Sequence, residues 1–341
     1  MKSLGLSPYA LAIGAASALL AGCGGSQPPI GAPGAMVQSR AVAAYPDRAG
    51  SASVHRAFPV KLGTSGQDLL YVADGVADGM SKVKVFSFPQ GKLVGALTGI
   101  SKARGLCSDA SGNVFVTEDT NEVLEYAHGG TSPINTLSAH AAISCSWDPS
   151  TGNLAVVERP YSIAIYANAS GTAKTYTDYN FREFNYCAYD DKGDLFITGQ
   201  INGPNPYALA EFNGATFTTI NLNERVYLED LQWDGKYLAI DDFYQTGQIN
   251  RVHVSGSSGI IERTITLTGT FYGYWTWLQG GTFISPISTE GDHDSVLEFW
   301  SYPSGGKPTK KLPSKGFKRN GDIRGITVSV ASSATGVRPK L

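Results

Sequence analysis

Gly112-Asn113-Val114-Phe115-Val116-Thr117-Glu118-Asp119 decides the fold, because near copies of it run along the chain. They are Leu69-Leu70-Tyr71-Val72-Ala73-Asp74, Asn153-Leu154-Ala155-Val156-Val157-Glu158, Asp194-Leu195-Phe196-Ile197-Thr198-Gly199, Lys236-Tyr237-Leu238-Ala239-Ile240-Asp241 and Gly281-Thr282-Phe283-Ile284-Ser285-Pro286. Their first residues stand at 69, 113, 153, 194, 236 and 281, so the steps are 44, 40, 41, 42 and 45 residues. Each copy is a short apolar run rich in β-branched and aromatic residues, which reads as a strand. A step of about 40–45 residues is the period of a four-stranded propeller blade.

Working outward, each copy is preceded by a second apolar run and followed by two more. Around the second copy these are Gly105 to Asp109, Glu122 to Tyr126 and Ile134 to Leu137. The turn before the copy opens on Asp and closes on Gly: Asp109 to Gly112, Asp148 to Gly152, Asp190 to Gly193 and Asp234-Gly235. Without a dense Asp-x-Asp-x-Asp ladder these acids read as turn hydrogen bonders, not calcium ligands. The last run, Asp322 to Val330, has no partner nearby in sequence, and the first copy lacks the run that should precede it. Pairing the two closes the set, so the expected fold is all-β: a six-bladed β-propeller over 58–332 whose C-terminal strand completes the first blade.

The ends of the chain read differently. Residues 1–22 have one early lysine, an apolar run from Tyr9 to Ala21 and small residues before Cys23, the pattern of a secretory signal peptide. Leu20-Ala21-Gly22-Cys23 resembles a bacterial lipobox, which implies a lipid on Cys23, a membrane anchor and a place in the bacterial cell envelope. Residues 23–57 are rich in Gly, Pro, Ala and Ser and read as a lipidated flexible linker; residues 333–341 read as a C-terminal tail. Removing the signal with its single lysine takes the formal charge from −2 to −3, which gives no reason to expect nucleic acid. Cys107, Cys145 and Cys187 then remain, at spacings that track the repeat. They read as small buried residues near a crowded axis, with a Cys145–Cys187 disulfide as the alternative.

The runs Leu70 to Asp74 with Val83 to Phe86, and Val114 to Glu118 with Val123 to Tyr126, resemble NHL-type repeats. The wider pattern is similar to six-bladed propellers of the NHL and SMP-30/gluconolactonase class. That resemblance implies a calcium-type metal at the upper mouth of the central channel and metal-assisted lactone hydrolysis.

Antiparallel strands bring the end of each copy and the start of the run before it to one face. Candidate ligand-binding residues there are Arg104, Glu118, Glu158, Asn185, Asp230, Asp241, Tyr274 and Arg324, of which Glu118, Glu158, Asn185, Asp230 and Asp241 have the oxygen chemistry of a calcium site. The scattered His128, His140, His253 and His293 show no metal-ligand spacing, and no Gly-x-Ser-x-Gly elbow supports a serine nucleophile. Two surface features remain: the aromatic run Phe271 to Trp277, and Lys307, Lys310, Lys311, Lys315, Lys318 and Arg319, which read as a solvated edge. The leading expectation is an envelope-anchored binding or scaffolding module for a small molecule, glycan or protein. The alternatives are a calcium-dependent hydrolase or lactonase of the SMP-30 type, and a purely structural envelope protein.

Overall fold

The structure is a computed structural model that describes residues 66–75, 80–242, 247–269, 275–289, 292–312 and 322–332. The signal peptide, the linker with Cys23, the tail at 333–341 and Tyr274 lie outside the described residues. The described residues belong to one compact unit, Ala52–Leu341. They are all-β, with no α-helix and a single 3₁₀ turn at Ala167–Ala169.

The strands fall into six antiparallel sets of four. Set 1 is β24 (Asp322–Ser329), β1 (Leu69–Gly75), β2 (Met80–Ser87) and β3 (Leu93–Ser101), in that spatial order. Set 2 runs from β4 (Ala103–Ser108) through β5 (Val114–Glu118) and β6 (Glu122–Tyr126) to β7 (Pro133–Ser138). Set 3 comprises β8 (Ala142–Trp147), β9 (Leu154–Glu158), β10 (Ser162–Tyr166) and β11 (Lys174–Thr177). Set 4 comprises β12 (Phe181–Tyr189), β13 (Leu195–Ile201), β14 (Tyr207–Phe212) and β15 (Phe217–Leu222). Set 5 comprises β16 (Leu228–Trp233), β17 (Leu238–Asp242), β18 (Gln248–Ser255) and β19 (Ser258–Thr266), and set 6 β20 (Trp277–Gln279), β21 (Thr282–Thr289), β22 (Asp292–Ser301) and β23 (Lys310–Leu312). The C-terminal strand pairs with the first as the sequence leads one to expect: Tyr71 lies opposite Thr327 and Val72 opposite Ile326.

Sets 4 and 5 are joined at their outer edges by a short parallel pairing of Asn221 with Ser258 and Leu222 with Gly259. The result is an eight-stranded sheet whose terminal strands, β12 and β16, pack against each other, so it is nearly closed like a barrel.

Burial explains why the repeated runs are so apolar. All five residues of β5, β9 and β17 are buried, whereas the outermost strands β7 and β11 are mostly exposed. A second strand covered on both faces cannot alternate polar with apolar. Its two faces serve two neighbours. In β1, Leu69, Tyr71 and Ala73 join Val114 and Val116 of set 2, while Leu70 and Val72 join Ile284 and Leu297 of set 6. In β5, Phe115 turns to Leu154 and Val156 of set 3. Continuing around, one apolar cluster lies between each consecutive pair of sets, and the sixth lies between sets 6 and 1. Each fully buried Leu, Val or Phe contributes about 1.5–3 kcal/mol, so these clusters dominate the favourable side of folding.

The first strands pack on one another in sequence: β24 on β4, β4 on β8, β8 on β12 and β12 on β16, with lighter contacts of β16 on β20 and of β20 on β24. Glycine permits the closest approaches. A Cβ on Gly105 would stand 2.7 Å from Ser144 Cα, and one on Gly325 would collide with the backbone of Arg104 to Leu106.

The cysteines correct the sequence expectation. Cys107 is bonded to Cys145, and Cys187 is free and buried. Register gives the reason. Cys145 opposite Val156 and Cys187 opposite Ile197 hold the same place in their sets, two steps from the turn, whereas Cys107 opposite Phe115 is one step nearer to it. Alternation therefore sends Cys107 and Cys145 into the same cluster between sets 2 and 3, and sends Cys187 into the next one. Repeat-equivalent cysteines do not face each other; the staggered pair does.

Candidate binding site

The six first strands surround a narrow space. A cavity of about 20 Å³, room for about one water, touches sets 1 to 5 and the entry of set 6 through Ile326, Leu106, Ser144, Tyr186, Asp230 and Thr276. We call the end where the first strands begin the upper mouth and the end where they finish the lower mouth.

At the upper mouth, five of the six pairings between first and second strand break register. Arg324 is the extra residue between Ile323 and Gly325, which face Asp74 and Ala73. Arg104 and Gly105 lie in the shift between Ala103 and Leu106, and Ile143 in that between Ala142 and Ser144. Asn185 lies between Phe184 and Tyr186, and Glu229 with Asp230 between Leu228 and Leu231. A bulge twists the strand and re-aims the side chains it carries, and bulges gather next to functional sites. Of the sequence candidates, Arg104, Asn185, Asp230 and Arg324 all occupy these bulges.

Glu118 and Glu158 do something else. Each ends its second strand and folds back on the backbone that leads into the first strand of its own set. Glu118 Oε1 accepts the Ser101 N–H at 2.9 Å, and Glu158 Oε1 accepts the His140 N–H at 2.7 Å. In both corners the next residue, Lys102 or Ala141, is left-handed at φ 51° or 44°. Both corners are closed by the N–H of Asp119 or Arg159 donating to that residue's carbonyl. A strained residue held by a carboxylate and a backbone bond is a built corner.

The register also moves one candidate. Ala103 faces Glu118, Ala142 faces Glu158 and Leu228 faces Asp242, so Asp242 is the counterpart of the two glutamates. Asp241 takes the inward place held by Thr117 in set 2 and Val157 in set 3. There it is buried with Glu229 and Asp230. Asp230 accepts the Thr276 N–H at 2.6 Å and its hydroxyl at 2.9 Å, tying set 5 to the entry of set 6. Burial pushes the Asp230 carboxyl up to about 7 against these hydrogen bonds. Burial, and then the Asp230 charge, push Glu229 up to about 8 although Tyr186 hydrogen-bonds to it. Asp241 is raised well above the ordinary range by burial and by the charges of Asp230, Glu229 and Asp242. Glu229 is the residue that the sequence-derived set left out; its signal was adjacency to Asp230 at a strand start.

At the rim the acids are paired. Arg104 Nη2 donates to Asp119 at 2.7 Å, and Arg159 meets Glu183 at 3.1 Å across sets 3 and 4. Among the described residues no group of three or more His, Cys, Asp or Glu side chains is arranged to hold a metal ion. Glu118, Glu158, Asp230 and Asp241 are therefore not gathered around one point, and the residues present do not fit the calcium site that the sequence types suggested. Among the described residues, no helix is long and apolar enough to cross a membrane.

No protein-family model matches the chain, and no curated protein matches it at a significant level.

Proposed function

We propose that the six sets are the blades of a six-bladed β-propeller of NHL or SMP-30 type, and that its upper mouth binds a small molecule, glycan or protein. The cyclic packing of the first strands and the six clusters between consecutive sets support the propeller reading. In this reading a lipid on Cys23 anchors the chain in the bacterial envelope.

One observation carries the binding reading: the register breaks that place Arg324, Arg104, Asn185 and Asp230 at one end of one channel. Regular pairing would serve folding equally well, so the repeated irregularity favours a site that presents polar side chains. A calcium-assisted hydrolase has less support, because two of its five candidate ligands are occupied in strand corners.

The test is a thermal-shift screen of sugars, short peptides and small organic acids against the full chain. A ligand whose shift disappears in both Arg104→Ala and Asn185→Ala, and persists in Trp233→Phe, supports the upper mouth. A ligand indifferent to both substitutions there refutes it. For the anchor, Cys23→Ser should release the protein from the membrane fraction.

A further inference from the structure

The lower mouth carries a second feature, independent of the upper one. Three successive first strands end on an aromatic residue in the same register: Trp147 opposite Leu154, Tyr189 opposite Leu195 and Trp233 opposite Leu238. The same position in sets 1 and 2 is Ser329 and Ser108. Trp277 of β20 adds a fourth ring, one step further from its turn. The four rings are half-buried and line one pocket of about 230 Å³ together with Asp190 and Asp191. That volume is below the roughly 300–1,000 Å³ of sites for drug-sized ligands, so the pocket suits a small head group.

The surface that Trp233 and Trp277 offer the pocket is carbon. Their indole Nε1 atoms are enclosed by protein, so these rings present π surface and C–H edges to a ligand and no donor. Polar side chains deeper in the pocket are engaged elsewhere. The Ser146 hydroxyl accepts the Tyr189 N–H at 2.9 Å, and the Ser108 hydroxyl donates to the Val328 carbonyl at 3.0 Å. A ligand held by a network of hydrogen bonds finds little to grip here.

Charge selects among the ligands that remain. Asp190 and Asp191 are the charged residues that line the pocket, and no Lys, Arg or His joins them. Asp148, next to Trp147, stands against the same turn: a Cβ on Gly193 would lie 3.2 Å from both of its carboxylate oxygens. Burial acts to raise the Asp148 carboxyl, but the bonds from Thr151 and Ser150 outweigh burial and hold it below the ordinary range. It is therefore charged at neutral pH. Burial and then the Asp190 charge raise the Asp194 carboxyl, with Asp148 adding to them and Lys192 opposing. The carboxylates of Asp148, Asp190, Asp191 and Asp194 thus face the exposed Lys192 alone among these groups, and an anion is repelled. Among the described residues no Lys or Arg lies over any of the four rings, so the chain itself does not supply the cation that such rings attract.

We propose that the lower mouth binds a small methylated ammonium ion, its methyl groups against Trp147, Tyr189, Trp233 and Trp277 and its charge in the field of Asp190 and Asp191. Such an ion needs no hydrogen bond, which matches rings whose donors are closed off. Trp147, Trp233 and Trp277 are three of the five tryptophans, so intrinsic fluorescence reports on the pocket. Titrating the full chain with tetramethylammonium and with choline should give a saturable emission change. The uncharged isostere of choline, with a tert-butyl group in place of the trimethylammonium, should bind at least tenfold more weakly. Trp147→Leu, which keeps an apolar side chain and loses the ring, should weaken choline about tenfold. Asp191→Asn at the exposed rim should weaken it about threefold, and added salt should weaken the parent in the same sense. Phosphocholine separates the sources: equal binding assigns a head carried on a phosphate, and weaker binding a free cation.

The proposal is overturned if neither ammonium ion saturates, or if the uncharged isostere binds as tightly as choline, which would make the pocket merely apolar. It is also overturned if Trp147→Leu and Asp191→Asn, both folded by circular dichroism and melting, bind choline as the parent does.

Discussion

The two mouths of the channel are built from the same repeat and treat it in opposite ways. At the lower mouth the repeat is kept in four sets: the turns of sets 2 to 5 open on an Asp whose carboxylate accepts from the turn's own N–H groups. Asp109 accepts from Ser111 and Asn113, Asp190 from Lys192 and Asp194, and Asp234 from Lys236 and Tyr237. At the upper mouth the repeat is broken by bulges, left-handed residues and buried carboxyls that repel one another. The difference teaches that stability and display are separated along the channel. The lower turns fix the sets by satisfied hydrogen bonds, and that regularity leaves the aromatic positions between them free to vary from set to set. The upper end carries irregular backbone that only a well-held scaffold tolerates.

The largest test of this contrast removes the part that both ends share. Cys145 lines both the small central cavity and the lower pocket. Its bond to Cys107 closes a loop of 38 residues. Cys107→Ala should lose about 4 kcal/mol by urea unfolding, the loop-entropy value for that length. Cys187→Ala, which opens no loop, should lose about 1 kcal/mol. Equal losses would mean that the bond is not a staple between sets 2 and 3.

Next is the lower end itself. Asp234 reaches beyond its own turn: besides two backbone N–H groups it accepts Arg251 Nε at 2.6 Å and the Tyr302 hydroxyl at 2.7 Å. Burial acts to raise its carboxyl, but these bonds outweigh burial and hold it below the ordinary 3.8. Asp234→Ala should therefore cost about 2–4 kcal/mol. The sign with pH follows from the lowered value: this contribution is present above about pH 4 and fades as acid protonates the folded carboxyl. Melting in the parent but not in Asp234→Ala should show that acid limb.

How much was legible beforehand follows the same division. The period, the strand runs and the closing of β1 by β24 were readable because second strands buried on both faces must be apolar throughout, which marks every copy. The upper mouth was readable in kind, since four of the eight candidates lie in the bulges, but not in register. The second strand of set 5 begins at Leu238, but the apolar Tyr237 before it reads as its first residue, so Asp241 was aligned with Glu118 where Asp242 belongs. The disulfide was missed for a related reason: spacing reports equivalent positions, and the bonded pair is the one that departs from equivalence. The aromatic side of the lower mouth had a visible signal, the dipeptides Trp147-Asp148, Tyr189-Asp190 and Trp233-Asp234. The Asp was read for its turn and the ring before it was passed over.

The upper end should answer pH in the opposite direction from Asp234. Glu229 goes from an ordinary 4.5 to about 8 on folding, chiefly by burial and then by the charges of Asp230 and Glu183. A carboxyl whose folded value is raised holds its proton more tightly in the native state. Stability is therefore full below about pH 4.5 and is lost as pH rises toward 8. Glu229→Gln keeps the shape and removes the ionisation, so it should leave stability unchanged at pH 4.5 and raise it by about 1–3 kcal/mol at pH 8.5. A variant destabilised equally at both values would show that Glu229 is held as a hydrogen-bonding anion, and the contrast between the mouths would fail.

The smallest effect asks whether the strand corners are the same device used twice. Glu118→Gln and Glu158→Gln each retain an oxygen able to accept the Ser101 or His140 N–H and lose only the charge. A neutral acceptor in place of a charged one weakens such a bond by about half, so each should cost about 0.5–1 kcal/mol, and the two should agree. Glu118 also accepts the Thr120 hydroxyl at 3.1 Å, a bond the amide oxygen or nitrogen can replace. If Glu118→Gln cost several times more than Glu158→Gln, Glu118 would have a charge-dependent role beyond its corner. It would then return to the candidates for ligand binding, and the division of labour between built corners and displayed bulges would have to be redrawn there.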